Sequence, residues 1–314
     1  KSDAGRPNRA GTVAQGGNKI MFDFLQQLVN GIAVGCVYGL IALGFVLIYK
    51  ATEVVNFAQG ELLMLGGFLA FTFITFLGLN YWIGFLLAVL CMALLGSTIE
   101  RIVVRPILGY PQFSIVMATI GLGFFARSVA GMIWGTDDLK IDTPFSRSVT
   151  ENVVRIGGLV IADDKVSIIV ATVILCGILY LFFSRTRMGI AMQATSQNML
   201  AAYYMGIPVK RVFSLIWAIS AAVACFAGIL LAPSTLIHTN VGFIGLKAFP
   251  AAVLGGFGSI PGALVGGVII GVIESLAGFY LPQGFKDVAA YIVLLLVLWF
   301  KPDGLFGMKI RKKV

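Results

Sequence analysis

The chain has 314 residues, of which 59% are hydrophobic and only 12% charged, with a formal net charge of +9. Soluble domains carry about 25% charged residues, so a water-soluble enzyme or nucleic-acid-binding domain is excluded, and the basic excess reads as membrane-adjacent lysine and arginine. Apolar runs long enough to cross a bilayer recur along the chain, and the short alternating segments of a membrane barrel do not. The expectation is an all-α, polytopic transmembrane bundle.

Residues 1–20 are polar and glycine-rich, and Met21 looks like a natural start. They are expected to be a non-native or disordered leader. Residues 21–307 form a single transmembrane domain, and 308–314 a basic cytoplasmic tail. About eight to nine spans are expected, at 22–49, 57–79, 82–99, 113–134, 166–183, 213–232, 242–257, 262–280 and 287–300. The seventh is short and contains Lys247 and Pro250, so it is expected to be broken or re-entrant. Arg101, Arg105, Arg185, Arg187, Lys210, Arg211 and Lys301 mark their loops as cytoplasmic. The mixed acidic and basic loop 135–165 reads as external. Nine crossings then place residue 21 outside, which sits badly with the basic leader.

Gly31, Gly35 and Gly39 are four residues apart, as are Gly262 and Gly266, and Gly267 and Gly271. In lipid such spacing lets helix backbones approach closely. The alternative is a face that slides during gating. Cys36, Cys91, Cys176 and Cys225 all fall inside apolar spans and read as packing residues, not as a disulfide framework or metal site.

Asn56-Phe57-Ala58-Gln59-Gly60-Glu61 joins the first two spans. Two amides and a carboxylate are costly in lipid unless they face other helices or a wet cavity. Asn56, Gln59 and Glu61 therefore either line a path or gate, or cap the start of the second span. Glu274 lies alone inside the eighth span and is a path candidate by the same rule. Otherwise it is held by an interhelical hydrogen bond, with Arg127 as one partner. Arg127 has the alternative of snorkelling to headgroups. His238 is the only histidine and has no carboxylate or cysteine partner nearby, so neither catalysis nor metal binding is expected of it.

The stretch 184–211 is too polar to span and too patterned for a loose linker. Ala191, Ala194, Met199, Ala202 and Met205 give a helical stripe of small and apolar residues, stopped by Gly206 and Pro208. A cytoplasmic helix with a small-residue face suits docking into a partner's cleft, or packing on the base of this protein itself.

Several motifs together resemble the permease subunits of ABC importers for branched-chain amino acids, and specifically the first of their two paired permeases. They are Val55 to Glu61, Ile99-Glu100-Arg101 with Arg105-Pro106, Arg187-Met188-Gly189, Met205-Gly206-Ile207 and Lys247-Ala248-Phe249. Ala252-Val253-Leu254-Gly255-Gly256 and Gly258-Ser259-Ile260-Pro261-Gly262 complete the set. The resemblance covers residues 21–307.

It implies a multi-pass protein of the bacterial inner membrane that forms half of a translocation path. The implied partners are a second homologous permease, two ATP-binding cassette subunits on the cytoplasmic side and an external solute-binding protein. It also implies that 184–211 couples to the ATPases, through Gly189, Ala191, Ala194, Asn198, Ala202 and Gly206. The chain holds no GxxxxGK[ST] phosphate loop, so ATP hydrolysis belongs to another subunit. No catalytic residue, cofactor or metal is expected. The competing readings are an amide or urea importer of the same superfamily and an ion-coupled transporter with Glu61 or Glu274 as proton carrier. An intramembrane hydrolase lacks its motifs, having neither GxGD nor HExxH.

Overall fold

The structure is a computed structural model, describing residues 9–141, 143–144, 153–156 and 159–307, with side chains for 21–141, 143–144 and 161–307. The expected tail at 308–314 and the first eight residues of the expected leader lie outside the described residues. Residues 9–20 continue the first helix, α1 (Arg9–Thr52).

Lipid leaves no partner for a free backbone amide, so apolar segments become helices. The helices are α2 (Gln59–Phe71), α3 (Tyr81–Ile99), α4 (Gln112–Trp134), α5 (Asp163–Arg185), α6 (Arg187–Gln197), α7 (Met199–Tyr204), α8 (Val209–Leu231), α9 (Ile244–Gly255), α10 (Ile260–Tyr280) and α11 (Phe285–Phe300). Wide turns at Thr72–Phe76 and Glu100–Val104 extend α2 and α3, and a 3-10 turn at Arg105–Ile107 extends α3 further. A loop was expected to begin at residue 100; the helical path instead continues to Ile107. Among the described residues, seven helices are long and apolar enough to cross a membrane. The segment 242–257 appears as the shorter apolar stretch Thr239–Gly255, a 3-10 turn followed by α9. At 16 residues, α11 is ~24 Å long, short of a ~30 Å bilayer core.

Hydroxyl and amide side chains mark the helix starts. Asn80 Oδ1 accepts from the Trp82 amide at 3.0 Å, Thr186 Oγ1 from Gly189 at 3.0 Å, Asn198 Oδ1 from Ala201 at 2.9 Å and Ser259 Oγ from Gly262 at 3.1 Å. Gly206, at φ +82°, ends the α7 turn, where a side chain is disfavoured. Past α11, the amides of Leu305 and Phe306 return to the Leu254 and Gly255 carbonyls at 2.7 and 3.2 Å, satisfying the open end of α9.

The bundle is centred on α1 and α8, which are largely buried, while α3, α4 and α5 are mostly exposed. Exposed Leu86, Leu90, Phe124, Phe125 and Ile174 form the apolar surface expected against lipid or another subunit. The buried face of α3 repeats every fourth residue as Gly84, Ala88, Met92 and Gly96. A Cβ on Gly96 would stand 2.5 Å from the Trp217 carbonyl of α8. The glycine rows expected to pack helices do so. Gly31, Gly35 and Gly39 of α1 lie against the antiparallel α10, a Cβ on Gly35 meeting Val268 Cα at 2.6 Å. Gly267 and Gly271 face α1, whereas Gly262 and Gly266 face Gly255 and Ala251 of α9. Two faces of one helix thus serve two partners.

The two ends of the bundle differ. One carries the α5–α6–α7–α8 turn, with Phe183, Met192 and Ile216 gathered around Leu47 and Lys50 at the end of α1. The other carries Lys165, whose ammonium donates to Ser234 Oγ at 2.8 Å, and a β-hairpin of β1 (Val153–Ile156) and β2 (Leu159–Ala162). The hairpin was not expected from the sequence.

Candidate functional site

Chain breaks inside the bundle build the site. After Thr52 the chain turns back, so that α2 begins beside Gly44, eight residues before the end of α1; a Cβ on Gly44 would collide with the Gln59 side chain. After Leu231 the chain again leaves the helix. Ile237 and Leu139 exchange backbone hydrogen bonds at 2.8 Å, and the Ile237 side chain lies on Gly67, 3.1 Å from where its Cβ would be. The chain then enters the 3-10 turn Thr239–Phe243 and α9. Gly242 and Gly245 press on Gly60, leaving no room for a side chain at any of the three. Two helical starts therefore meet within the protein, and their unpaired amide ends favour negative charge.

That charge is Glu61. It stands in the first turn of α2, its carboxylate against Gly242. Arg127 of α4 donates to Glu61 Oε1. The guanidinium lies 4.1 Å from the centroid of the Phe243 ring, a cation–π stack that fixes its plane. Glu61 Oε2 and Arg127 Nε are buried without hydrogen-bond partners. Phe57, Gly60, Ile120, Phe124, Phe243 and Leu246 complete the walls of a cavity of about 230 Å³ beside the pair. The expected alternatives for Arg127, pairing with Glu274 or snorkelling, are corrected: its partner is Glu61, because α2 and α4 are neighbours.

Asn56 and Gln59 point elsewhere. Asn56 Oδ1 accepts from the Ala58 amide at 3.1 Å, and its Nδ2 donates to Gln59 Oε1 at 3.4 Å. Ser220 Oγ of α8 donates to Gln59 Oε1 at 3.0 Å and lies 3.1 Å from the Gly44 carbonyl. Both amides are fully buried. They join α1, α2 and α8 at a node and hold the break open, while Glu61 alone of the three lines the cavity.

Glu274 is not brought to this place. It lies on the other side of the broken segment, 3.6 Å from Lys247 Nζ. Lys247 also pairs with Asp287 at the start of α11. In the sequence Lys247 stands out as a disturbance in a short span and as part of a family motif, with no partner assigned to it. Its usable signal was that intramembrane charges of opposite sign tend to pair.

The stretch 184–211 is two helices, not one. Asn198 interrupts the expected stripe and caps α7. Gly189 packs on Phe182 and Phe183 of α5, and Ala202 is also buried, while Ala191 and Ala194 are half-buried and Gly206 exposed. The small-residue face is therefore largely spent on the protein itself. The exposed face is large and apolar: Met199, Leu200, Tyr203, Tyr204 and Met205. Met199, Leu200, Tyr203, Ile207, Lys210 and Arg211 line a groove of about 500 Å³. Behind it Arg105 makes a bidentate pair with Glu100 at 3.0 and 2.6 Å. Its Nη2 also donates to Ser214 Oγ at 2.8 Å and to the Lys210 carbonyl at 3.2 Å, tying the end of α3 to the start of α8.

Over residues 27–298 the chain matches the family described as branched-chain amino acid transport system, permease component. It is 34% identical over 304 residues to the high-affinity branched-chain amino acid transport system permease protein BraD of Pseudomonas aeruginosa, covering 94% of this chain and 99% of that protein. It is equally 34% identical over 301 residues to the corresponding Escherichia coli K12 permease LivH, covering 93% and 98%. To the probable branched-chain amino acid transport permease LivH of Methanocaldococcus jannaschii it is 29% identical over 289 residues, covering 87% and 89%.

Proposed function

This chain belongs to the family of permease components of branched-chain amino acid transport systems, and from that premise we propose that it forms half of the translocation path of an ATP-driven importer for branched-chain amino acids. It is a multi-pass inner-membrane protein whose relatives are transport permeases. In the proposed assembly it pairs with a second homologous permease, two ATP-binding cassette subunits sit against the end carrying α6 and α7, and a solute-binding protein delivers substrate at the hairpin end.

The observation that carries the coupling half of this reading is the exposed apolar face of α7. Five large side chains, Met199, Leu200, Tyr203, Tyr204 and Met205, stand out from a short helix at one end of the bundle. Such a face is unstable in water and calls for a protein cover. Lys210 and Arg211 at its edge supply a charged rim. Gly189, Ala191, Ala194 and Ala202 support the docking helices from behind, Asn198 sets the angle between them, and Gly206 ends the second. The path is assigned to the cavity at Glu61, where a carboxylate, a guanidinium and an apolar wall adjoin a break in two helices. Asn56 and Gln59 hold that break, and Glu274 belongs to a second cavity.

Reconstitution tests this reading. Liposomes holding this chain, its paired permease and their ATPases should take up leucine only with ATP and the binding protein present. Gradient-driven uptake by this chain alone would overturn it in favour of an ion-coupled transporter. Preference for urea over leucine would overturn the substrate assignment.

A further inference from the structure

The cavity around Glu274 is larger than the one at Glu61, about 580 Å³, and within the ~300–1,000 Å³ of small-molecule sites. It opens at the hairpin end, where Lys165 and Ser234 meet. Its walls come from α1, α5, the end of α8, α9, α10 and the start of α11 of this one chain, so no second subunit is needed to form it.

Its charges leave one of each sign over. Lys165 is held by Asp164 at 3.4 Å. Lys247 is held by Asp287 and by Glu274 Oε1. Lys286 also lines the cavity, its stem lying on Gly278, one turn beyond Glu274 on α10; among the described residues no carboxylate pairs with its ammonium within 4.0 Å. On the acidic side, the Glu274 side chain is 4% exposed and has the Tyr38 hydroxyl as a neighbour besides Lys247, yet its Oε2 makes no hydrogen bond within 3.5 Å. A buried carboxylate oxygen without a donor is costly and marks a place for an ammonium. Beside these groups Val34, Val37, Ile168 and Leu231 give an apolar wall.

We propose that this cavity binds a zwitterionic α-amino acid, its ammonium on Glu274 Oε2, its carboxylate on Lys286 and its side chain on the Val34–Ile168–Leu231 wall. The zwitterion follows from the charges, whereas the choice of a branched side chain rests on the importer reading. The site is separate from the Glu61 cavity: Ile244 and Lys247 face it, and Phe243 and Leu246 face the other. It serves as an entry station at the delivery end, before the broken segment.

The test is equilibrium binding of radiolabelled L-leucine to the full chain in phosphatidylcholine nanodiscs. Saturable binding is expected, weakened at least tenfold by E274Q and by K286Q. Lys286 is exposed, so K286Q decides the matter even where E274Q fails to fold. Isoamylamine, lacking the carboxylate, and 4-methylpentanoate, lacking the ammonium, should each compete at least tenfold less well than leucine. Undiminished leucine binding by K286Q, or full competition by either analogue, overturns the proposal. So does a co-purified phospholipid that leucine fails to displace and K286Q releases. If the assembled importer transports leucine with ATP while this chain shows no Glu274- or Lys286-dependent binding, the site is refuted and the importer reading stands. Dependent binding without any ATP-driven uptake gives the reverse.

Discussion

Glu61 and Arg127 are 66 residues apart in the chain and form an ion pair where the starts of α2 and of the Thr239–Gly255 segment converge. Three sources of positive potential act on one carboxylate: the guanidinium and two helix N-termini. Gly123, one turn before Arg127 on α4, gives Glu61 its space; a Cβ there would lie 3.3 Å from Glu61 Cγ. The pair couples α2, α4 and the broken segment, so movement of any one is felt by the charges lining the cavity.

Removing one partner strands the other. R127A should destabilise the protein by about 3–5 kcal/mol, the usual cost of an uncompensated buried charge. The double variant E61Q/R127Q should recover most of that loss. E61A, R127A and the double variant should all fail to transport while still assembling with the other subunits. Thermal melting in detergent, together with leucine uptake by the reconstituted importer, separates the two roles. Normal uptake by the double variant would reduce the pair to scaffold.

The glycine rows give a stability prediction with its own control. A Cβ on Gly35 would stand 2.6 Å from Val268 Cα, and one on Gly271 would meet the backbone of Gly35 more closely still. G35A and G271A should each cost about 1–3 kcal/mol by overpacking. Gly177 of α5 has nothing within 4 Å of its Cβ position; G177A should be neutral, or stabilising by up to ~1 kcal/mol through helix propensity. Equal melting temperatures for all three would mean that α1 and α10 slide apart easily.

Much of this architecture was legible beforehand, because lipid imposes a length and an apolar composition on every span. The seventh segment was marked as unusual by Lys247 and Pro250, yet α9 runs through both, and its departure from a plain span is the 3-10 turn that precedes it. The glycine spacings named the closely packed helices, but not that two faces of α10 serve α1 and α9 separately. The partner of Glu61 was not legible. Arg127 was conspicuous as a charge in a span, yet which carboxylate it meets depends on which helices become neighbours. For the 184–211 region the sequence left docking on a partner and packing on the protein's own base both open, and the structure divides the stripe: Ala202 is buried while Met199 and Met205 are exposed. Small residues signal close packing without saying on whom, and here Gly189 and Ala202 are used by α5 and by the protein's own base. Asn198 was available as a capping signal, and it splits the expected single helix.

That division decides which variants test docking. Tyr204 and Met205 are 81% and 83% exposed, whereas Ala202 is 4% exposed. Y204E and M205D should leave the melting temperature of the isolated chain unchanged and reduce co-purification of the ATPases at least tenfold. A202D buries a carboxylate without a partner and should lower the melting temperature directly. If A202D melts normally and loses the ATPases, while Y204E and M205D keep them, the docking face is the small-residue one after all.

Arg105 ties the end of α3 to the start of α8, and under the proposed importer reading this tie would carry motion of α6 and α7 into the bundle. Its guanidinium grips Glu100 with two hydrogen bonds and reaches Ser214 and the Lys210 carbonyl on the first turns of α8. Ser214 in turn donates to Glu100 Oε2 at 2.6 Å, so Glu100, itself buried, is fully engaged. Lysine keeps the charge and loses the fork. R105K should therefore cost about 1.5–3 kcal/mol of stability, the range for hydrogen bonds to charged groups. S214A should cost less, since the bidentate pair survives it. The functional readout is the amount of leucine imported per ATP hydrolysed. R105K should retain ATPase binding and ATP hydrolysis while that ratio falls several-fold, because a loosened α3–α8 tie lets the docking helices move without turning the spans. An unchanged ratio in R105K would leave the Glu100–Arg105–Ser214 cluster as a structural tie with no part in transmission.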